Sequence, residues 1–195
     1  MSAAAQPRVL TGGFGRDPAL FELVRTRSFR RGKFTLASGR ESELYFNLKP
    51  TMMWPKGALL AARAFLDLIH GEGVDYVGGL EMGAVPIIGA LAAVGEAEGR
   101  PVKTFFVRKA KKEYGARQQV EGLGPDETLQ GAKVMVLDDV ATTGGSILQA
   151  VDAVRAAGGA VESALVVVDR EEGATEALAE HGIRLLSVFK GAEFL

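Results

Sequence analysis

The chain has no cysteine, which excludes disulfides, thiolate nucleophiles and cysteine-ligated metals and is compatible with a reducing cytosol. Histidine is almost as scarce. His70 and His181 are the only two, too few for a histidine-rich metal site. One falls near a helix end and the other on an Ala-rich helical stretch, which suits structural or surface roles. Charge of one sign is also lacking: 23 Lys and Arg face 24 Asp and Glu, a net charge of −1. No global field therefore draws the chain to nucleic acid or to an anionic membrane, and any anion site must come from a local cluster. The longest weakly polar run, AVPIIGALAAV at 84–94, falls short of the roughly 20 residues a membrane helix needs. The start, MSAAAQPR, lacks the layout of a signal peptide. The expectation is a cytoplasmic protein. The lone Trp54 reads as a packing residue.

What is present is a globular composition. Hydrophobic residues make up 47% of 195, enough for a real core and typical of one domain. Residues 1–16, rich in Ala, Gly and Pro, are expected to form a flexible arm, and residues 17–50 a cap or hood. Within that cap, 18–29 has helical periodicity, and FTL and LYFNL flank the polar turn SGRES as a hairpin. Residues 55–69 read as a helix that stops near Gly71 and Gly73. Then strands and helices alternate: DYVGGL, a helix from Ala84, VKTFFV, KVMVL, a helix from Gly144, VESALVVV, a helix over EEGATEALAEHG, and IRLLSVF. This order implies an α/β fold with a mainly parallel sheet flanked by helices. The strands are continuous apolar runs, as sheets covered on both faces require. Residues 108–131 are polar and broken by glycine.

Open α/β sheets bind ligands beyond the carboxyl ends of their strands. Those ends carry Glu81, Met82 and Gly83; Arg108 and Lys109; Asp138 and Asp139; and Asp169 and Arg170. Small, basic and acidic groups at one edge suit a ligand with anionic groups and sugar hydroxyls.

The richest of these ends is VMVLDDVATTGGS, residues 134–146. Thr142, Thr143, Gly144, Gly145 and Ser146 fall at a helix N-terminus, where free N–H groups and the helix dipole favour a phosphate. The carboxylates cannot hold that phosphate, because like charges repel. They can accept hydrogen bonds from ribose hydroxyls one sugar away and sit near a hydrated Mg²⁺. A Gly-rich turn alone would read as a helix cap beside two solvated aspartates. The combination reads as a 5-phosphoribose cradle, and it is not a Walker loop.

This stretch resembles the phosphoribosyl-diphosphate signature of the type I phosphoribosyltransferases. The resemblance implies that Asp138 and Asp139 hold ribose hydroxyls, while Val140, Ala141, Thr142, Thr143, Gly144, Gly145 and Ser146 form the loop around the 5-phosphate. Further along, VRKAKKEYGARQQVEG carries five basic residues between 108 and 117. A charge run of this kind is ordinarily a solvated loop, but this one begins at a strand end facing the cradle. Its RKxxKxxG spacing resembles the catalytic loop of the orotate phosphoribosyltransferase family. That implies Arg108 and Lys109 on diphosphate, and Lys112 as the catalytic cation reaching the neighbouring site of a homodimer. Tyr114 stands where many members have His, and can hydrogen-bond diphosphate without being cationic at neutral pH.

FTLASGRESELYFNLK resembles the family's amino-terminal hairpin, which implies orotate contacts from Tyr45 and Phe46, although both also suit a hairpin core. Ala37 stands where some members have Lys. VVVDREEG resembles the family's strand-end Asp-Arg, which implies that Arg170 meets the orotate carboxylate, with Thr142 beside the base. A guanidinium fork suits a carboxylate, and a structural salt bridge is the alternative. GGLEMGAVP resembles the loop that binds diphosphate through main chain, here without the Lys of some members.

The implied activity is orotate phosphoribosyl transfer in pyrimidine (UMP) synthesis, with Mg²⁺ carried by the substrate rather than by direct protein ligands. Two rivals remain: transfer to another base, and a nucleotide sensor on the same fold. A purine needs no guanidinium partner, and a sensor needs no basic lid over a leaving group. Lys112→Ala is expected to lower kcat by about two to three powers of ten, as for loss of one preorganised electrostatic donor. Steady-state kinetics with the purified variant tests this, and a near wild-type rate removes Lys112 from the mechanism.

Overall fold

A computed structural model describes residues 16–35, 41–109 and 119–195. The expectations for the arm before Arg16, for the turn at 36–40, and for Lys112 and Tyr114 lie outside the described residues. The elements run α1 (Pro18–Arg27), β1 (Phe29–Thr35), β2 (Glu41–Phe46), α2 (Lys49–Met52), α3 (Pro55–Ile69), β3 (Tyr76–Leu80), α4 (Val85–Ala97) and β4 (Lys103–Val107). They continue with β5 (Val120–Glu121), β6 (Lys133–Ala141), α5 (Gly145–Ala156), β7 (Ala160–Asp169), α6 (Ala174–Glu180), β8 (Arg184–Lys190) and a closing 3₁₀ turn, Gly191–Phe194.

The main sheet has the order β5-β4-β3-β6-β7-β8, and every pair is parallel except β4 with the short edge strand β5. Strand β6 sits centrally, and its period-2 alternation divides its side chains between two cores. Met135 and Leu137 join a core with Leu20, Phe65, Leu66, Ile87 and Leu91, from α1, α3 and α4. Val134 and Val136 join the opposite core with Ile147, Val151 and Val154 of α5 and Leu178 of α6. The continuous apolar runs in the sequence are therefore explained by cover on both faces.

The cap is a separate two-stranded antiparallel sheet, β1 with β2, beside α1. Asp17 starts α1: its carboxylate accepts from the Ala19 N–H at 2.7 Å, and Pro18 follows at the first helical position. An aromatic cluster seats the cap on the core. Phe194 stacks on Phe21 at 4.5 Å between ring centroids and meets the Phe46 and Phe189 rings edge-on at 5.3 and 5.9 Å. Arg16 adds an ion pair with Glu193 and a bond to the Val188 carbonyl at 3.2 Å.

The structure departs from the sequence reading in several places. Helix α1 ends at Arg27, and Phe29 opens β1 rather than closing the helix. The one-turn helix α2 and the terminal 3₁₀ turn are too short to leave a periodic signal. Trp54 is half exposed, with the Arg27 guanidinium 4.6 Å from its ring centroid, so it is a cation–π surface residue rather than core. Strand β6 does not stop before the acids. Val140 and Ala141 still pair with Val168 and Asp169 of β7, which carries the strand through Asp138 and Asp139.

Phe194 is buried and touches rings from α1, β1, β2 and β8. Phe194→Ala is expected to cost about 3–5 kcal/mol, the usual range for a truncated core phenylalanine. Urea unfolding checks it, and a loss below about 1 kcal/mol would show that the cap is seated by something else.

Candidate active site

Because β6 continues past the acids, Asp138 belongs to a strand buried between two layers, and it is itself buried. One of its oxygens accepts from the Ser146 hydroxyl at 2.7 Å, and the other from the Asp139 N–H at 2.9 Å. Asp139 is half-buried, and its Oδ1 accepts from the Val140 N–H at 2.9 Å. Opposite lies the turn after β3. A Cβ placed on Gly83 would lie 2.3 Å from Asp138 Oδ1 and 2.8 Å from Asp139 Oδ1. Only glycine lets the two strand-end loops approach this closely.

Gly144 occupies the left-handed region with φ 83° and caps α5. Thr143, Gly145 and Ser146 are exposed at that N-terminus, and Thr142 is half-buried. The first turn of a helix leaves N–H groups without intrahelical partners, so the geometry is that of an anion cradle. The Ser146 hydroxyl, however, is tied to Asp138. Its spacing from Asp138 in sequence does not reveal this, because the bond depends on how α5 folds back over β6.

The basic strand end is held at its root. The Arg108 N–H donates to the Gln119 carbonyl at 2.8 Å, and the Arg108 guanidinium pairs with Glu121 at 3.2 Å. The Lys109 N–H donates to Glu81 at 2.8 Å, and the Lys109 carbonyl accepts from the Gln149 amide at 3.1 Å. Glu81 and Gln149 thus join the β4 end to the β3 turn and to α5. Sequence reasoning left Gln149 out, although it sits one helical turn beyond Ser146 on the same face.

Arg170 is buried, and its N–H donates to the Ala141 carbonyl at 2.9 Å, beside the cradle. Its guanidinium bonds the Leu44 carbonyl of β2 at 2.9 Å and pairs with Glu172 at 2.6 Å. The cap strand is therefore fastened to the sheet through this arginine. Along β2 the side chains alternate. Tyr45 is 40% exposed and stacks on Phe34 at 5.2 Å, whereas Phe46 is buried against Phe29 and Phe194. The Phe46 ring packs in the core, the hairpin-core alternative for that residue, whereas Tyr45 faces outward. Met82, in the turn after β3, is exposed.

Burial, reinforced by the neighbouring Asp139 charge, pushes the Asp138 carboxyl up to about 7 from an ordinary value near 3.8. Between those values the folded chain holds a proton that the unfolded chain has lost, so stability falls as pH rises through that window. Asp138→Asn removes the ionisable group. Its melting temperature is expected to fall less than the wild type's between pH 5 and pH 8, and thermal melts across that range check the sign. Parallel curves would show that Asp138 ionises as an ordinary aspartate.

Sequence comparison agrees with this geometry. The phosphoribosyl transferase domain matches residues 54–183. The orotate phosphoribosyltransferase of Bradyrhizobium sp. (strain ORS 278) is 53% identical over 176 residues, covering 90% of this chain and 95% of that protein. That of Rhodopirellula baltica is 38% identical over 177 residues, 87% of this chain and 90% of the other. Among solved structures, Mycobacterium tuberculosis orotate phosphoribosyltransferase in complex with 5-phospho-alpha-D-ribosyl 1-diphosphate superposes with a TM-score of 0.73 at 37% identity, over 90% of this chain and 96% of that one. An adenine phosphoribosyltransferase from Thermoanaerobacter pseudethanolicus, 19% identical with a TM-score of 0.64, shares the fold. Identity at this level covers nine-tenths of the chain, and the chain belongs to the phosphoribosyltransferase family, among its orotate phosphoribosyltransferases.

Proposed function

We propose that the chain transfers the 5-phosphoribosyl group from phosphoribosyl diphosphate to orotate, giving orotidine 5′-monophosphate and diphosphate, as a step of pyrimidine synthesis. The observation that carries this reading is the Asp138–Asp139 pair set between the Gly83 turn and the α5 N-terminus. That arrangement sets carboxylates suited to sugar hydroxyls beside a helix start whose free N–H groups suit a phosphate.

Orotate is an anion with a nucleophilic ring nitrogen, so the reaction needs no strong base. The new bond forms from that nitrogen to C1′ as the bond from C1′ to the diphosphate oxygen breaks, through an oxocarbenium-like state. The chain's contribution is orientation and charge. Asp138 and Asp139 accept from the ribose hydroxyls, and the turn from Val140 to Ser146 holds the 5-phosphate. Arg108 and Lys109 meet the diphosphate, with Tyr114 as a further donor. Lys112 neutralises the leaving group from the neighbouring subunit of a homodimer. Arg170, Thr142, Tyr45 and the backbone at Phe46 position orotate. Arg170 already spans the cap and the cradle, and exchange of Glu172 for a substrate carboxylate would keep its charge balanced.

Among the described residues no cluster of three or more His, Cys, Asp or Glu gathers as a metal cage. Two adjacent carboxylates beside an anion cradle fit a hydrated Mg²⁺ held chiefly by substrate oxygens, with Asp138 and Asp139 within its hydration shell. When bound, such an ion supplies Lewis-acid stabilisation of the departing diphosphate. No helix among the described residues is long and apolar enough to cross a membrane, in keeping with the cytoplasmic location proposed for the enzyme.

Orotate absorbance in the presence of phosphoribosyl diphosphate and Mg²⁺ is expected to fall, while adenine, hypoxanthine and uracil are left unchanged. Consumption of another base in place of orotate would discard the Arg170 pocket and keep the cradle. Tight ligand binding with no turnover would favour a sensor.

A further inference from the structure

Asp169 is a buried carboxylate that the transfer reaction does not use. It ends β7, with Ala141 of β6 on one side and Lys190 of β8 on the other. Its Oδ2 accepts from the Lys190 ammonium at 2.7 Å and from the Thr175 hydroxyl at 3.3 Å. Its Oδ1 accepts from the Glu171 N–H at 2.9 Å. That last bond closes a tight turn in which Glu171 holds φ 60°, a left-handed conformation that a residue with a Cβ adopts only when its surroundings impose it. The Glu171 carboxylate in turn accepts from the Ala192 N–H at 3.2 Å. Arg170 lies inside this turn, between the Asp169 anchor and the Glu171 bend. The Gly191 backbone packs against it, so that a Cβ there would lie 3.2 Å from the Arg170 Cα.

We propose that Lys190 is a positioning residue for orotate, acting through Asp169 to fix the turn that aims Arg170. The proposal rests on the reading of Arg170 as the orotate carboxylate's partner. Asp169 is 1% exposed, so its charge needs a cation to stay where it is. Without the ammonium, the buried carboxylate has lost its charged partner and turns toward water, and its bond to the Glu171 N–H weakens. The strained bend then relaxes and carries the Arg170 fork away from the β2 edge. A displacement of this kind acts first on the guanidinium that meets the base, while the α5 N-terminus keeps its own anchor in the Ser146–Asp138 bond, so it separates the two substrates.

Lys190→Met keeps the alkyl chain and removes the charge. It is expected to raise the KM for orotate about tenfold, equivalent to about 1.4 kcal/mol. The KM for phosphoribosyl diphosphate should stay within about twofold, and Lys190→Arg should restore most of the loss. If Lys190→Met unfolds, the double variant Lys190→Met with Asp169→Ala removes the unpaired charge together with the acceptor of the Glu171 N–H bond, and the orotate KM should again rise. Arg170→Lys is the parallel control. An unchanged orotate KM in the Lys190 variants beside a raised one in Arg170→Lys overturns the positioning role and leaves the Arg170 reading standing. Unchanged values in both overturn the Arg170 reading and the proposal with it. Equal increases in both KM values, or no rescue by arginine, also overturn it.

Discussion

A carboxylate buried near the carboxyl end of a central strand is expensive to keep, and the site is organised around the one at Asp138. Burial and the adjacent Asp139 disfavour its charge. The Ser146 hydroxyl and the Asp139 N–H offset part of that cost. The Ser146 bond ties the end of β6 to the first turn of α5, so the group that stabilises the acid also fixes the distance from acid to anion cradle. Gly83 completes the arrangement from the other side by admitting the β3 turn without a side chain. The electrostatic tension at Asp138 is thus coupled to geometry. Hydrogen-bonding partners that can relieve it, such as sugar hydroxyls or a hydrated cation, are the ones the family's substrate brings.

Much of this was legible in the sequence, for a definite reason. Continuous apolar strands followed by polar ends are produced by a doubly covered parallel sheet, and they mark the ligand edge directly. The helix over 55–69 matched α3, because Pro55 opens it and a buried stripe through Phe65 and Ile69 sustains the period. The acid pair and the glycine turn lie next to each other in the chain, so their meeting needed no tertiary knowledge. Contacts between distant segments were not legible. The Leu44 carbonyl under Arg170, Gln149 on the Lys109 carbonyl, and the glycine face opposite the acids all depend on how separate loops converge. Phe46 shows the limit at short range. Neighbouring aromatics on a strand must face opposite ways, and the sequence does not say which faces the core.

The strand ends divide the work between rigid and adjustable parts. The turn at 140–146 joins β6 to α5 and is tied to the main sheet by the Ser146–Asp138 bond. The cap meets the β7 end through the Arg170 fork and through aromatic edges rather than through the main sheet. Under the proposed reading, a sugar-phosphate platform fixed in the sheet carries a separately mounted base wall.

The aromatic cluster that seats the cap has a consequence for synthesis. Arg16 and Glu193 are 177 residues apart, and the rings of Phe21 and Phe194 meet close by. A ribosome adding about 5–20 residues per second delivers the second half of this contact roughly ten to thirty-five seconds after the first. During that interval α1 can already rest on α3, while the Phe29 and Phe46 rings of the β1–β2 hairpin lack the Phe194 ring that covers them. The sheet through β7 is therefore synthesised before the Phe194 ring that seats the cap against it.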